Sequence, residues 1–201
     1  MKIHTPEIIL ASGSAYRREL LSRLVKFFDI SSPNIDESIL RNENPHDYVS
    51  RLAREKAQAV ADSGPSGLII GSDQTAVTDT GILGKPGGFD RAVQQLTQCS
   101  GNEVRFLTGL ALLDTESGRT EVEVDEVIVR FRQLTPLEIE NYLLAEQPYD
   151  CAGSFKCEGL GISLFESIES SDPNSLIGLP LIRLNKMLIR FGYNPLLHQD
   201  S

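Results

Sequence analysis

The segment Ser12-Gly13-Ser14-Ala15-Tyr16-Arg17-Arg18 sets a serine–glycine turn between the apolar run Ile8-Ile9-Leu10-Ala11 and the start of a helix. Such a strand–turn–helix aims backbone amides and hydroxyls at an anion. Arg17, one turn into the helix, adds a two-pronged phosphate grip. An ordinary capping loop has the same composition, so this segment alone leaves both readings open. Lys56 is more informative, because it shares a helical face with Val49, Leu52, Ala53 and Val60 by three- and four-residue spacing. A lysine on an inward stripe costs desolvation unless a carboxylate or a ligand phosphate meets it; the alternative is a lysine that snorkels from the stripe's edge. Asp73 is expected at the carboxyl end of the strand Leu68-Ile69-Ile70, where open α/β sheets place ligands. There it can bind magnesium, take a proton from water, or merely form an Asx turn. Glu37, in Asn34-Ile35-Asp36-Glu37, is a candidate second carboxylate brought in by an earlier loop. Lys85, in Gly84-Lys85-Pro86-Gly87-Gly88, could reach a phosphate or lie solvated.

The elements that would position these groups alternate between strand and helix. Glu7–Ala11 reads as a short buried strand, followed by a helix capped by Ser14 with Leu20, Leu21, Leu24, Phe27 and Phe28 as its apolar stripe. Asn44, Pro45 and Asp47 announce a second helix, which Gly64 and Pro65 end near Asp62. Thr75–Leu83 suits a further strand or hairpin, and Asp90–Gln98 a helix carrying Val93 and Leu96. Val104–Leu113 and Thr120–Arg132 flank Glu116-Ser117-Gly118, a hairpin signal. The valines change phase at Asp125-Glu126, which predicts a bulge or bend. Thr135-Pro136-Leu137-Glu138 is a capping box opening a helix to about Gln147. Gly161–Ile168 reads as a strand, and Leu179–Phe191 as a last helix stopped by Gly192. Because the hairpin must be antiparallel, the expected fold class is α/β with a mixed, twisted sheet and flanking helices.

Composition excludes several functions. The 201 residues hold 28 acidic and 19 basic side chains, a formal charge of −9, which disfavours a duplex-coating protein. The charge is uneven: residues 1–30 hold five basic against three acidic side chains, and residues 111–150 three against ten. A small cationic spot on an acidic body suits a compact anion such as a nucleotide better than a polymer. No apolar run reaches the ~18 residues of a membrane helix, and no signal-peptide core is present. Cys99, Cys151 and Cys157 make neither a CxxC pair nor a disulfide framework, so a reduced cytoplasm is expected. His4, His46 and His198 have no metal-like spacing.

Taken in order, these segments resemble the Maf family of nucleoside triphosphate pyrophosphatases. The resemblance rests on Ile9-Leu10-Ala11-Ser12-Gly13-Ser14 with Arg17-Arg18-Glu19-Leu20-Leu21, then Asp36-Glu37 and Leu52-Ala53-Arg54-Glu55-Lys56-Ala57. Gly71-Ser72-Asp73, Gly84-Lys85-Pro86, Gly109, Cys151-Ala152-Gly153-Ser154 and Asp172-Pro173-Asn174 through Gly178-Leu179-Pro180 complete it, over roughly residues 7–196. It implies one Maf-like domain spanning the chain, related in architecture to the inosine triphosphatases, with two lobes about a central cleft. It also implies hydrolysis of the α–β phosphoanhydride to a nucleoside monophosphate and pyrophosphate, with Mg2+ or Mn2+. Asp73 would be the general base and Glu37 its partner carboxylate or metal ligand. Lys56 and Lys85, with Ser12, Ser14 and Arg17, would hold the triphosphate.

Within that family the chain is similar to the YceF-type branch, which hydrolyses 7-methyl-GTP. The branch acting on dTTP and UTP usually has arginine at Tyr16, threonine at Gln74 and glutamine at Glu158. Tyr16 departs from the tryptophan common in the YceF-type branch but keeps an aromatic ring. Methylation at N7 makes guanine cationic, so that ring can attract it by cation–π stacking. The Glu158 carboxylate can accept from guanine N1–H and the exocyclic amine, which pyrimidines cannot copy. Removal of modified nucleotides before their incorporation is the implied purpose. The alternatives are dTTP/UTP hydrolysis by the same chemistry and a non-enzymatic role in septum formation. Family members are often dimeric, so a homodimer is within what the resemblance allows; neither a nucleic acid nor a membrane partner is expected.

Overall fold

A computed structural model of the chain describes residues 6–198, so His4 lies outside the described residues. In chain order the elements are β1 (Ile8–Ala11), α1 (Ala15–Ser22), β2 (Asp29–Ile30), α2 (Pro45–Ala61), β3 (Leu68–Thr78) and β4 (Gly81–Leu83). They continue with α3 (Phe89–Cys99), β5 (Glu103–Asp114), β6 (Thr120–Phe131), α4 (Pro136–Glu146), β7 (Phe165–Ser170) and α5 (Leu181–Arg190). The strands hydrogen-bond in the order β2-β1-β3-β5-β6-β7, with β4 also on β3. Strands β1, β2 and β3 pair in parallel, whereas β3–β4 and β6–β7 are antiparallel. The mixed α/β class expected from the sequence is the class observed.

The chain forms two compact units. The first comprises the residues up to Asp73, Thr108–Asp125 and those from Asp172 on; the second comprises Gln74–Leu107 and Glu126–Ser171. In the first unit the alternation of strand side chains divides the core. Ile8, Leu10, Leu68, Ile70, Leu110 and Leu112 pack with Leu20 and Leu21 of α1 and Leu184, Met187 and Leu188 of α5. Ile9, Ala11, Ile69, Ala111 and Leu113 face the other way, against Ala53, Ala57 and Val60 of α2. The second unit is organised by four phenylalanines. Phe155 meets Phe106, Phe131 and Phe165 edge to face, with ring centroids 4.8–5.8 Å apart.

Capping signals in the sequence translate directly. Asn44 caps α2 through Asp47 N, with Pro45 in the first turn, and Thr135 and Glu138 complete the capping box of α4. Three expectations change. Helix α1 stops at Ser22, because Arg23 and Leu24 bond back to Leu20 and Leu21 in tight three-residue steps, and Phe27 is left 60% exposed. Leu160–Leu164 is a 3-10 segment rather than strand, and the strand begins only at Phe165. Gly161 sits so close to the Lys156 carbonyl that a Cβ would lie 2.3 Å from it, a packing that belongs to a tight turn. The phase change at Asp125-Glu126 falls where β6 passes from the first unit to the second, while the register shift opposite β7 lies between Arg130 and Phe131. No helix among the described residues is long and apolar enough to cross a membrane.

Candidate active site

The first unit brings Lys56, Asp73 and Glu37 together. Helix α2 lies unusually close to the sheet because Gly71 and Gly109 have no side chain: a Cβ on either would stand 2.1 Å from the carbonyl of Ala53 or Val49. Asp73 shares the phase of Ile69 and Gly71 and so projects toward α2. The expectation of a strand end is corrected here, since β3 continues to Thr78 and Asp73 sits within it. Strand β1 pairs with β3 only as far as Gly71, while β5 neighbours it in the sheet, β4 pairs with it from Ala76 to Thr78, and no proline interrupts it. Lys56 Nζ lies 2.6 Å from Asp73 Oδ1 and 2.6 Å from Glu37 Oε1. With Lys56 and Asp73 only 7% and 8% exposed, each needs the other's charge. The lysine is thus buried on the stripe, not snorkelling from it.

Glu37 arrives on the irregular segment between β2 and α2, residues 31–44. Side chains of α2 tie this segment down: the Tyr48 hydroxyl donates to the Glu37 carbonyl at 3.0 Å, and Arg51 Nη2 donates to the Ser38 carbonyl at 3.0 Å. Arg51 also grips Glu43 through both oxygens, at 2.6 and 2.9 Å, which holds the Glu43 carboxyl down at about 2. The Tyr48 phenol is raised by burial and by the charges of Asp73 and Glu37.

On the opposite side of β3, Arg17 Nε donates to the Gly178 carbonyl at 2.9 Å and Ser72 Oγ donates to the same oxygen at 3.2 Å. Burial lowers the Arg17 guanidinium, while the charges of Asp73 and Glu37 act against that lowering. Arg17 therefore senses the two carboxylates as a second cation. Ser12 Oγ accepts from Ser14 N at 3.1 Å, and Ser14 Oγ caps α1 by accepting from Arg17 N at 3.4 Å. A hydroxyl that accepts still has its own hydrogen to give. The turn is a helix cap, and capping by itself leaves both O–H groups able to donate. Tyr16 is half-buried in the first turn of α1.

Gln74, Lys85 and Glu158 belong to the second unit. Gln74 is half-buried on β3, whereas Lys85 and Glu158 are exposed on loops. Lys156 N donates to the Tyr142 hydroxyl at 3.0 Å and Leu160 N to Glu146 Oε1 at 2.7 Å, so the loop is anchored on both sides of Glu158. Gln95 of α3 joins two loops: its Nε2 donates to the Gly84 carbonyl at 2.9 Å and its Oε1 accepts from Ser154 Oγ. Sequence reasoning misses Gln95, whose partner lies 59 residues away. It also misses Tyr48, Glu43 and Arg51, although the Arg51–Glu55 spacing signals an i,i+4 pair. The three thiols are free, and burial pushes each up to about 12, far from reactive thiolates.

Among the described residues no group of three or more His, Cys, Asp or Glu side chains forms a metal cage. Asp73 and Glu37 supply two hard carboxylates, which fits a divalent ion that takes its other ligands from phosphate oxygens and water.

Relatives are close along nearly the whole chain. The "7-methyl-GTP pyrophosphatase" of Pseudomonas savastanoi pv. phaseolicola is 59% identical over 187 residues, covering 93% of this chain and 97% of the relative. The protein of the same name from Alcanivorax borkumensis is 54% identical over 192 residues, covering 96% and 98%. Among solved structures, a HAM1 protein from Coxiella burnetii matches with a TM-score of 0.54 at 14% identity, over 92% of this chain and 100% of that one, a likeness of fold. The family model described as "Maf-like protein" matches residues 7–191. The chain, with its Lys56–Asp73–Glu37 cluster in place, belongs to the Maf-like family.

Proposed function

We propose that this chain is a cytoplasmic nucleoside triphosphate pyrophosphatase that hydrolyses 7-methyl-GTP to 7-methyl-GMP and pyrophosphate. The observation that carries the chemistry is the buried ammonium of Lys56 held at 2.6 Å from two carboxylates, with Arg17 close enough to feel both. The choice of base rests on the names of the relatives and on Tyr16, Gln74 and Glu158.

In this reading Ser12, Ser14, Arg17, Lys56 and Lys85 bind the triphosphate and offset the charge that develops as the α–β bond breaks. With Oδ1 engaged by Lys56, Asp73 orients water through Oδ2 and takes its proton. The Lys56 ammonium bridges the Asp73 and Glu37 carboxylates and offsets the repulsion between them. A divalent ion held by Asp73 and Glu37 would neutralise phosphate charge and make the water a better nucleophile. Tyr16 stacks on the cationic base, and Glu158 accepts from its N1–H and amine.

The test is pyrophosphate release from a nucleotide panel with Mg2+ or Mn2+, using wild-type protein and Asp73→Asn. Wild type should prefer 7-methyl-GTP, and Asp73→Asn should lose turnover by at least about a hundredfold with its fold intact. A preference for UTP or dTTP would reassign the base. No release from any nucleotide would leave the non-enzymatic reading.

A further inference from the structure

Glu37 has no strand or helix to hold it, yet its carboxylate meets Lys56 at hydrogen-bond distance. We propose that Arg51, seconded by Tyr48 and Glu43, is the positioning residue that fixes Glu37 for catalysis. This inference rests on the reading of Glu37 as part of the reacting site.

Residues 31–40 make no ladder, so the backbone cannot set the place of Glu37. Two contacts from α2 do so instead. The Tyr48 hydroxyl binds the carbonyl of Glu37 itself at 3.0 Å, and Arg51 Nη2 binds that of Ser38, the next residue, at 3.0 Å. Arg51 is in turn held by the two-pronged pair with Glu43 and by Glu55 Oε2 at 2.9 Å. The Glu43 side chain is only 7% exposed and also accepts from Leu40 N at 3.0 Å, so one guanidinium and one carboxylate gather the loop from Ser38 to Glu43. The Arg51 guanidinium lies over the Tyr48 ring, 5.7 Å from its centroid, which couples the two tethers. Arg51, Glu55 and Lys56 belong to one helix, so α2 carries the catalytic ammonium and the clamp that presents its carboxylate partner. A planar fork is needed to bind Glu43 and a carbonyl at once; lysine, a point charge, cannot replace it.

The experiment compares Arg51→Lys and Tyr48→Phe, each in the wild-type and Glu37→Gln backgrounds, for kcat, KM and the Mn2+ concentration giving half-maximal pyrophosphate release. Thermal unfolding verifies that each variant is folded. In the wild-type background Arg51→Lys should lower kcat by about 10- to 100-fold, the scale on which small misplacements act, with a smaller change in KM. Its Mn2+ requirement should rise in the same direction as that of Glu37→Gln. Tyr48→Phe, which removes one hydroxyl and little else, should show a milder form of both effects. In the Glu37→Gln background both losses should shrink toward nothing, because the group being positioned is gone. Equal losses in both backgrounds, or wild-type kinetics for both variants, would overturn the positioning role while leaving Glu37 in the site. Wild-type turnover of Glu37→Gln would overturn the assignment of Glu37, and the role of Arg51 with it.

Discussion

Lys56, Asp73 and Glu37 are charged groups whose electrostatics make sense only as a set. Each of the two nearly buried ions would be costly alone, and attraction offsets that cost only when geometry and hydrogen bonding are good, as at 2.6 Å. Arg17, reached from the other side of β3, adds a second cation to the two carboxylates. Replacing Lys56 by methionine would keep most of the packing volume but leave Asp73 and Glu37 facing each other without their shared counter-ion. Lys56→Met is expected to lose about 3 kcal/mol of stability as well as turnover. Urea unfolding checks this, and Lys56→Arg should recover part of the stability. An unchanged unfolding midpoint in Lys56→Met would mean that the lysine is not the charge partner its position implies.

At the scale of elements, the placement of α2 decides the site. Gly71 and Gly109 let the helix backbone lie against the strands, and the small Ala53 and Ala57 fill the remaining gap. Gly71→Ala would place a methyl 2.1 Å from the Ala53 carbonyl, a clash with backbone that no side-chain rotation relieves. The helix must then shift, and Lys56 with it. A stability loss of about 1–3 kcal/mol is expected together with a fall in kcat, measured by denaturant unfolding and pyrophosphate release. The cap signals at Ser14, Asn44 and Thr135 were readable because a cap is local, spanning three or four residues. The end of the strand after Leu68-Ile69-Ile70 was not: Gly71-Ser72-Asp73-Gln74 looks like a turn by composition, but beyond Gly71, where β1 stops pairing, β3 runs on beside β5 and into its hairpin with β4.

Over the whole molecule, the residues assigned to phosphate chemistry, apart from Lys85, belong to the first compact unit, and Gln74 and Glu158 belong to the second. The two sets should separate kinetically. Asp73→Asn should lower turnover of every nucleotide by a similar factor, whereas Glu158→Gln should reduce the preference for 7-methyl-GTP over UTP, by about 10-fold or more, and leave the better pyrimidine turnover intact. The ratio of kcat/KM values between the two nucleotides reads this directly. Unchanged selectivity in Glu158→Gln would remove Glu158 from base recognition.

Sequence alone determined most of the element types, the caps, the α/β class and the candidate residues, with Lys56 on the apolar stripe of its helix. These follow from hydrophobic period and from chemistry within a few residues along the chain. Tertiary structure decided which charges meet. Lys56 and Asp73 are 17 residues apart and Arg17 and Gly178 are 161 apart; no local pattern records such a pairing. It also decided that α2 carries the clamp for the Glu37 loop and that Gln95 links the Gly84 and Ser154 loops. Hydrogen bonds of that kind depend on how closely packed elements approach, here on glycines that admit a helix backbone, and not on spacing along the chain.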